Sequence, residues 1–485
     1  MNFTDEATQL KYEKICAIQP HLRFREGELA YEYNELGLSD LFNEIYGEEA
    51  RYVPEWKSWV IYSEGRWVKD EQGILVSEML KTFVRLLACY AREIIDGDKD
   101  DYSKFILRTQ DRRFRNRIKD DATSCCATSA ELFDKNEYLI NCKNGTYDLR
   151  DFSFHEHNPK DYLTMQTRFS HTPNKEVKCE RWEQFISEVC NGRADKIDYL
   201  NRALGYSLLG RANEECMFIL YGKTTRNGKS TLLNTVERML GSYATAAPVG
   251  IICRNGASVS TEQASPVLAS LKGRRFVTMA ESAEYGKFDE EKIKQITGGE
   301  AITARALFSA PVTFIPQFTI WLSCNDLPEV SDKSLFNSER LRVISFDRHF
   351  ADSEQDKTLK NQFEQEENMS GIFNWLVYGY QQYEQRGLSM SNDMQTIISA
   401  YESENDDVGI FLGRNSVRGS EYEITAADLY RHFISWVKQN HGRILPSKRF
   451  VNEMARHPEF YDMCINEPSG RVYKGLSLKS IVGGE

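Results

Sequence analysis

The stretch FILYGKTTRNGKSTLLNTVERML, Phe218 to Leu240, constrains this chain more than any other. Its apolar opening, Phe218 to Tyr221, reads as a buried strand, and Gly222 to Gly228 reads as a loop bounded by glycines. Lys229, Ser230 and Thr231 then open an amphipathic helix carrying Leu232, Leu233, Val236 and Leu240. Strand, glycine-bounded loop, Gly-Lys-Ser and helix, in that order, form a phosphate-binding loop. Amides of Gly222, Asn227 and Gly228 and the helix N-terminus supply positive potential for phosphate oxygens. Lys229 is placed to reach the outer phosphates, and Ser230, with Thr231 beside it, to hold magnesium. The loop has one irregularity: Lys223 to Asn227 put one residue more between the glycines than the motif carries.

At 485 residues the chain is long enough for about three domains. No stretch approaches the ~20 apolar residues of a membrane span, so no membrane partner is expected. The early acidic residues of MNFTDEATQLKYEKICAI exclude a secretory signal. Eleven cysteines without a CxxC pair indicate free thiols in a reducing cytoplasm and give no support for structural zinc. The net charge of −11 excludes a whole-surface nucleic-acid binder but leaves room for local basic patches.

Three regions are expected: 1–172, an α+β accessory domain; 173–400, the loop-bearing domain with a helical lead-in; and 401–485, a small module. In the first, Trp56, Trp59 and Trp67 flank the Ser63-Glu64-Gly65 turn, and packing explains them better than base stacking. Asp96 and Asp98 form an acid-x-acid pair in a polar turn, poorly placed for metal. Arg108, Arg112, Arg113, Arg115, Arg117 and Lys119 recur at near-helical spacing, a face for phosphate or, more often, a solvated one. Alternation about Asn144-Gly145 predicts a hairpin, with His155 and His157 on a strand and assigned no metal. Beyond the loop helix, RRFVTMAE sets Glu281 at a strand end, with Glu284 a weaker acid nearby. FTIWLSCND ends a strand at Asn325, and Arg340 and Arg342 open another. Strands ending in polar residues with helices between predict a mainly parallel α/β sheet whose ligand lies at the strands' carboxyl ends. At the end of the chain, Thr425 caps one helix, Pro446 starts a second, and SGRVYKGLSLKS reads as a hairpin or wing. These predict a winged helix with Lys448, Arg449, Arg471 and Lys474 toward DNA phosphate.

ATP hydrolysis requires a magnesium site, an acid, a polar sensor and a positive charge. Lys229 and Ser230, Glu281, Asn325 and Arg340 supply these in order, with Ser230 and Glu281 serving the metal. FILYGKTTRNGKSTLLN, VTMAES, IKQITGGEAITARALF, FTIWLSCND and ERLRVISF resemble the motifs of superfamily 3 helicases, in the branch of poxvirus, phage, satellite and plasmid primase-helicases. RYVPEWKSWVIYSEGRWVKD and NGTYDLRDFSFHEHNPKDYLT resemble that branch's accessory domain.

The resemblance implies an AAA+-like core that uses ATP and Mg2+ and assembles as a hexameric ring around single-stranded or forked DNA. It implies 3′ to 5′ movement, Arg340 as a finger into the neighbouring subunit, and Thr303 to Phe318 as a pore hairpin. It also implies possible origin recognition, a separate primase partner and the cytoplasm of a bacterial host. Three departures stand against the family pattern. The loop is longer. One arginine, with Arg342 as fallback, replaces a Trp-Arg-Arg run. The hairpin lacks its usual lysine, leaving Arg305, Phe308 and Lys294 or Lys292 for DNA. That last departure keeps open a second reading, an ATP-assembled ring that binds or melts an origin with little unwinding. The chain's start near the accessory domain, without an acid-x-acid and histidine constellation, leads us to expect no primer synthesis.

Overall fold

The computed structural model describes the chain apart from residues 1–4, 23, 26–27, 30, 96, 175, 255–265, 282–285, 306–310, 441–443, 456, 458–459, 461–462, 468–469 and 483–485. Asp96, Glu284 and Phe308 therefore lie outside the described residues.

The centre is a five-stranded parallel sheet in the order Ala244–Ala246, Phe276–Ala280, Thr319–Cys324, Met217–Tyr221, Leu341–Ser345. Parallel strands covered on both faces need apolar residues on both faces, and these strands have them. Phe218, Leu220, Phe276, Trp321 and Ile344 enter one core, while Met217, Ile219, Val277, Ile320, Leu322 and Val343 enter another. The period-2 alternation of side chains makes that division. Trp321 stacks on Phe218 with ring centroids 4.4 Å apart and donates its indole N–H to Ser207 Oγ at 3.0 Å. Four of the five strands are those the sequence predicts. The fifth, Ala244–Ala246, is a three-residue edge strand of small residues with no periodic signal.

Residues 12–126 build a separate core from the helices Glu6–Ile18, Glu35–Tyr46, Ile74–Glu93, Lys99–Arg108 and Arg112–Cys125 and the sheet Ala50–Val53, Ser58–Ser63, Arg66–Asp70. Glu64 (φ 50°) and Gly65 (φ 77°) make the tight turn between the last two strands, the left-handed pair a two-residue hairpin demands. Trp59 and Trp67 are buried against Phe42, Tyr52 and Tyr162, which agrees with packing as their role. The hairpin expected about Asn144-Gly145 is present as Leu139–Cys142 and Gly145–Asp148, extended by Ser153–His155. The ring nitrogens of His155 and His157 face the carbonyls of Glu156 and Lys143.

This small sheet shares its core with the loop-bearing domain. Ile140, Tyr147 and Phe169 pack in one cluster with Trp182, Leu204 and Phe373, so the connection near Thr172 crosses a continuous interior. A buried arginine fastens the two parts. Arg275, just before the Phe276–Ala280 strand, donates from Nη1 to Leu208 O and from Nη2 to Leu139 O, both at 2.7 Å, with its guanidinium over the Tyr243 ring.

The C-terminal module has its own core, Val408 to Leu478. It runs helix Asp407–Asn415, strand Ser416–Thr425, helices Ala426–Gln439 and Ser447–Met454, and strands Cys464–Glu467 and Gly470–Leu478. Gly470–Leu478 pairs antiparallel with both other strands. Thr425 caps its helix by accepting from Asp428 N at 3.0 Å. The segment read as a hairpin or wing is one long strand; its hairpin partner is Cys464–Glu467. The first helix and first strand of the module escape sequence reading.

Arg275→Met removes a buried cation from two carbonyl-bearing segments and an aromatic ring at once. The expected loss is about 3 kcal/mol of unfolding free energy, measured as a lower urea midpoint without a change in the slope of the transition.

Candidate functional site

Register brings the functional ends together. Tyr221 pairs with both Cys324 and Ser345, and Ala280 with Ser323, so Gly222, Asn325 and Glu281 leave the sheet side by side at its carboxyl edge. Gly222 is squeezed there. A Cβ on it would lie 2.5 Å from Phe346 O and from Asn227 Nδ2. Gly228 closes the loop with φ +87°, a conformation open to glycine and costly for other residues, and its carbonyl accepts from Leu232 N as the helix Lys229–Leu240 begins.

Between the two glycines the longer loop is accommodated by Arg226 in the left-handed region, φ 59°. The segment after the last sheet strand holds it in place. Phe350 N donates to Arg226 O at 2.9 Å, His349 Nδ1 lies 2.8 Å from Thr225 O, and Arg226 pairs with Asp352. Asn227 is buried and donates to Thr224 O at 2.6 Å.

Lys229 is the centre of the site. Only 5 % exposed, it donates at 3.0 Å both to Gly222 O and to Asn325 Oδ1. Burial holds its ammonium below the usual lysine range, with Cys324 and Glu281 pulling the other way. A desolvated cation facing a glycine loop is a site for an anion. Glu281 Oε2 accepts from Asn325 N at 2.5 Å and Asp326 N at 3.3 Å, so one carboxylate fixes the backbone that presents Asn325 to Lys229. Ser230 lines a cleft of about 500 Å3 with Ala280 and Ser323, the residues leading into Glu281 and Asn325. Thr231 and Gly228 line another, of about 250 Å3, walled by Phe185, Phe350 and Leu359.

Arg340 is not in this cluster. Its carbonyl accepts from Met217 N at the start of the loop strand, roughly 16 Å along that strand from Gly222 at the usual rise per residue. Its guanidinium reaches Glu215 Oε2 at 2.5 Å and Thr297 Oγ1 at 2.9 Å. Arg342 is buried beside Glu339 and Leu388 and presents nothing outward. The expected hairpin is present as Ile302–Ala304 paired with Val312–Phe314, and Arg305 follows its first strand. Lys294 is bonded to Asp332 at 2.6 Å and Lys292 to Gln295. In the C-terminal module Lys448, Arg471 and Lys474 are exposed, whereas Arg449 donates to Ser331 O at 2.9 Å and so touches the central domain.

Sequence reading overlooks a second buried lysine at the same sheet edge. Lys196, on the helix Ala194–Tyr206, lies 3.1 Å from Ser345 Oγ and 3.7 Å from Asp347 Oδ2. No motif marks it or Phe185 and Phe350; only the apolar spacing of their elements was available.

Glu281→Ala should release the Asn325–Asp326 backbone, whereas Glu281→Gln keeps an acceptor there. Exchange of those two amide protons is expected to quicken about tenfold in the alanine variant, the equivalent of one lost hydrogen bond of about 1.4 kcal/mol, and to stay near wild type in the glutamine variant.

Residues 39–191 match a domain family described as D5 N terminal like, and residues 220–340 match a family of unknown function, DUF5906. The helicase-named protein L207/L206 of Acanthamoeba polyphaga mimivirus is 25% identical over 440 residues, covering 82% of this chain and 45% of that protein. The helicase-named protein 121R of Invertebrate iridescent virus 3 is 23% identical over 346 residues, covering 63% and 36%. The chain thus spans less than half the length of these relatives. The apo structure of the NrS-1 C terminal region is 13% identical, covers 79% of this chain and 81% of its own, and superposes with a TM-score of 0.47. Among the described residues no helix is long and apolar enough to cross a membrane. Over most of its length the chain is thus similar to helicase-named proteins of viruses, and its residues 39–191 match the D5 N terminal like domain family.

Proposed function

We propose that the chain is an ATP-dependent DNA helicase motor with an AAA+-like core. The observation that carries this reading is the buried Lys229 ammonium, held between Gly222 O and Asn325 Oδ1 at the mouth of the glycine loop. Triphosphate oxygens replace those two acceptors when nucleotide binds. The residues fit ATP and magnesium. A Cβ at Gly222 would fill the cradle, and Ser230 opens on a cleft beside the strand that leads to Glu281. The smaller cleft between Phe185 and Phe350 takes the base. Ser230 and Glu281 would hold magnesium, which supplies charge neutralisation on the phosphates. Water attacks the γ-phosphorus, and the bond to the β–γ bridging oxygen breaks with its electrons leaving on ADP. Glu281 accepts the water's proton through Oε1, while Oε2 keeps Asn325 in place as the sensor.

Arg340 supports assembly into a ring. It stands at the far end of the sheet from its own loop, which favours a phosphate held by another copy as its partner, exchanging Glu215 for that phosphate. On this reading the ring, hexameric by family resemblance, encloses single-stranded DNA at a fork. It grips the strand with the Ile302–Phe314 hairpin through Arg305 and Phe308, and moves 3′ to 5′. Helix, strand, two helices and a two-stranded hairpin in the C-terminal module follow a winged-helix order. Lys448, Arg471 and Lys474 are its exposed cations for duplex or origin DNA, with a separate primase as partner.

Lys229→Ala is expected to lower ATP hydrolysis at least 100-fold and to abolish strand displacement on a forked duplex. Arg340→Ala should also lose hydrolysis while still binding nucleotide. Mixing the two inactive variants should restore measurable hydrolysis, because one interface then combines an intact Lys229 with an intact Arg340. Full activity of Arg340→Ala alone would refute the finger. A wild-type ring that hydrolyses ATP yet never displaces a strand would refute the helicase reading in favour of an origin-binding ring.

A further inference from the structure

The helix Arg112–Cys125 carries its charges against its own dipole. Arg112, Arg113, Arg115 and Arg117 crowd its first half, with Lys119 just beyond, and unsatisfied amides already make that end positive. Arg113 and Arg117, and Arg115 and Lys119, are like-charged pairs one turn apart, which also opposes helix formation. A single acid caps the end: Asp111 Oδ1 accepts from Arg113 N at 2.6 Å and Phe114 N at 3.1 Å. Asp120 and Asp121 lie beyond the cluster, in the second half of the helix.

Part of this cluster is fixed by the fold. Arg108, at the end of the preceding helix, and Arg117 flank the buried Phe114 ring at 5.3 and 5.1 Å from its centroid. Arg117 pairs with Glu35 at 2.6 Å, and Arg115 donates to Thr109 O at 3.0 Å, closing the turn between the two helices. Arg112 and Arg113 remain exposed in the first turn, on the side opposite buried Phe114, Ile118 and Ala122. The fold therefore holds Arg108 and Arg117 against an aromatic ring and Arg115 across the interhelix turn, and presents two more arginines to solvent beside them. This cationic face stands on a chain whose net charge is −11.

We infer that this face of the N-terminal domain, centred on Arg112 and Arg113, binds the phosphodiester backbone of nucleic acid outside the nucleotide site. An anionic polymer supplies the counter-charge the helix lacks, and the planar guanidinium forks of Arg112 and Arg113 suit phosphate oxygens. The contact is independent of sequence and needs neither Lys229 nor bound nucleotide.

The test uses the full chain in the Lys229→Ala background without nucleotide, so that it stands whether or not the motor reading holds. Labelled single-stranded and duplex oligonucleotides are titrated by fluorescence anisotropy over a range of salt. Arg112→Glu/Arg113→Glu is expected to weaken binding at least tenfold at low salt. The charge-neutral Arg112→Gln/Arg113→Gln should flatten the plot of log K against log salt by about 1.4 on single strands, the slope carried by two phosphate contacts. Because the glutamates place acids at the positive helix end, the thermal midpoint of the first variant should hold or rise. The single-strand and duplex arms identify which form supplies the phosphates. Unchanged affinity and slope in both variants would overturn the inference. So would weaker binding by the glutamate variant that is accompanied by a lowered midpoint and an unchanged slope in the glutamine variant.

Discussion

The bond pair that Lys229 makes to Gly222 O and Asn325 Oδ1 is the constraint on which the rest of the site depends. It joins the carboxyl ends of two neighbouring strands through one ammonium taken almost wholly out of water. Such burial is unfavourable unless the charge is answered, and two neutral oxygens answer it only in part. Everything near it keeps those oxygens in position. Glu281 holds the Asn325 backbone, Gly222 admits the amine by having no side chain, and the 346–352 segment braces the loop from outside. The site is therefore stable and electrostatically incomplete at the same time, the usual condition of a group kept for a ligand.

Much of this was legible before any coordinates. The run Phe218 to Leu240 announces strand, loop and helix because each part has its own chemistry: an apolar stretch, bounding glycines, helical apolar spacing. Glu281, Asn325 and Arg340 could be placed at strand ends for the same reason, and their strands lie where expected. The Ala244–Ala246 strand was invisible because three small residues at an edge carry no alternation. The long loop looked like a defect in the sequence. Its support comes from Phe350 and His349, more than 120 residues on, and no local pattern records such a contact. Lys196 was missed for the same reason, since a lone lysine on an amphipathic helix looks solvated until the strand it faces is known.

The domain limits divide along a similar line. The C-terminal module has a core of its own, from Val408 to Leu478. The chain near Thr172, where the first region is expected to end, lies over shared interior, because Tyr147 and Phe169 reach Phe373, some 200 residues later in sequence. Polarity along a chain reports where water touches it, and water touches the outside of a joint as readily as a hinge.

The buried guanidinium of Arg275 gives that joint a mechanical meaning. It grips the amino end of the strand that leads to Glu281, while the glycine loop and Asn325 lie at the carboxyl end. Sliding that strand's base against the Leu139–Cys142 hairpin would expose a charged group to an interior with nothing to replace its carbonyls. One edge of the sheet is thus anchored like the clamped end of a beam. Strain generated at the opposite edge is resisted at this clamped end.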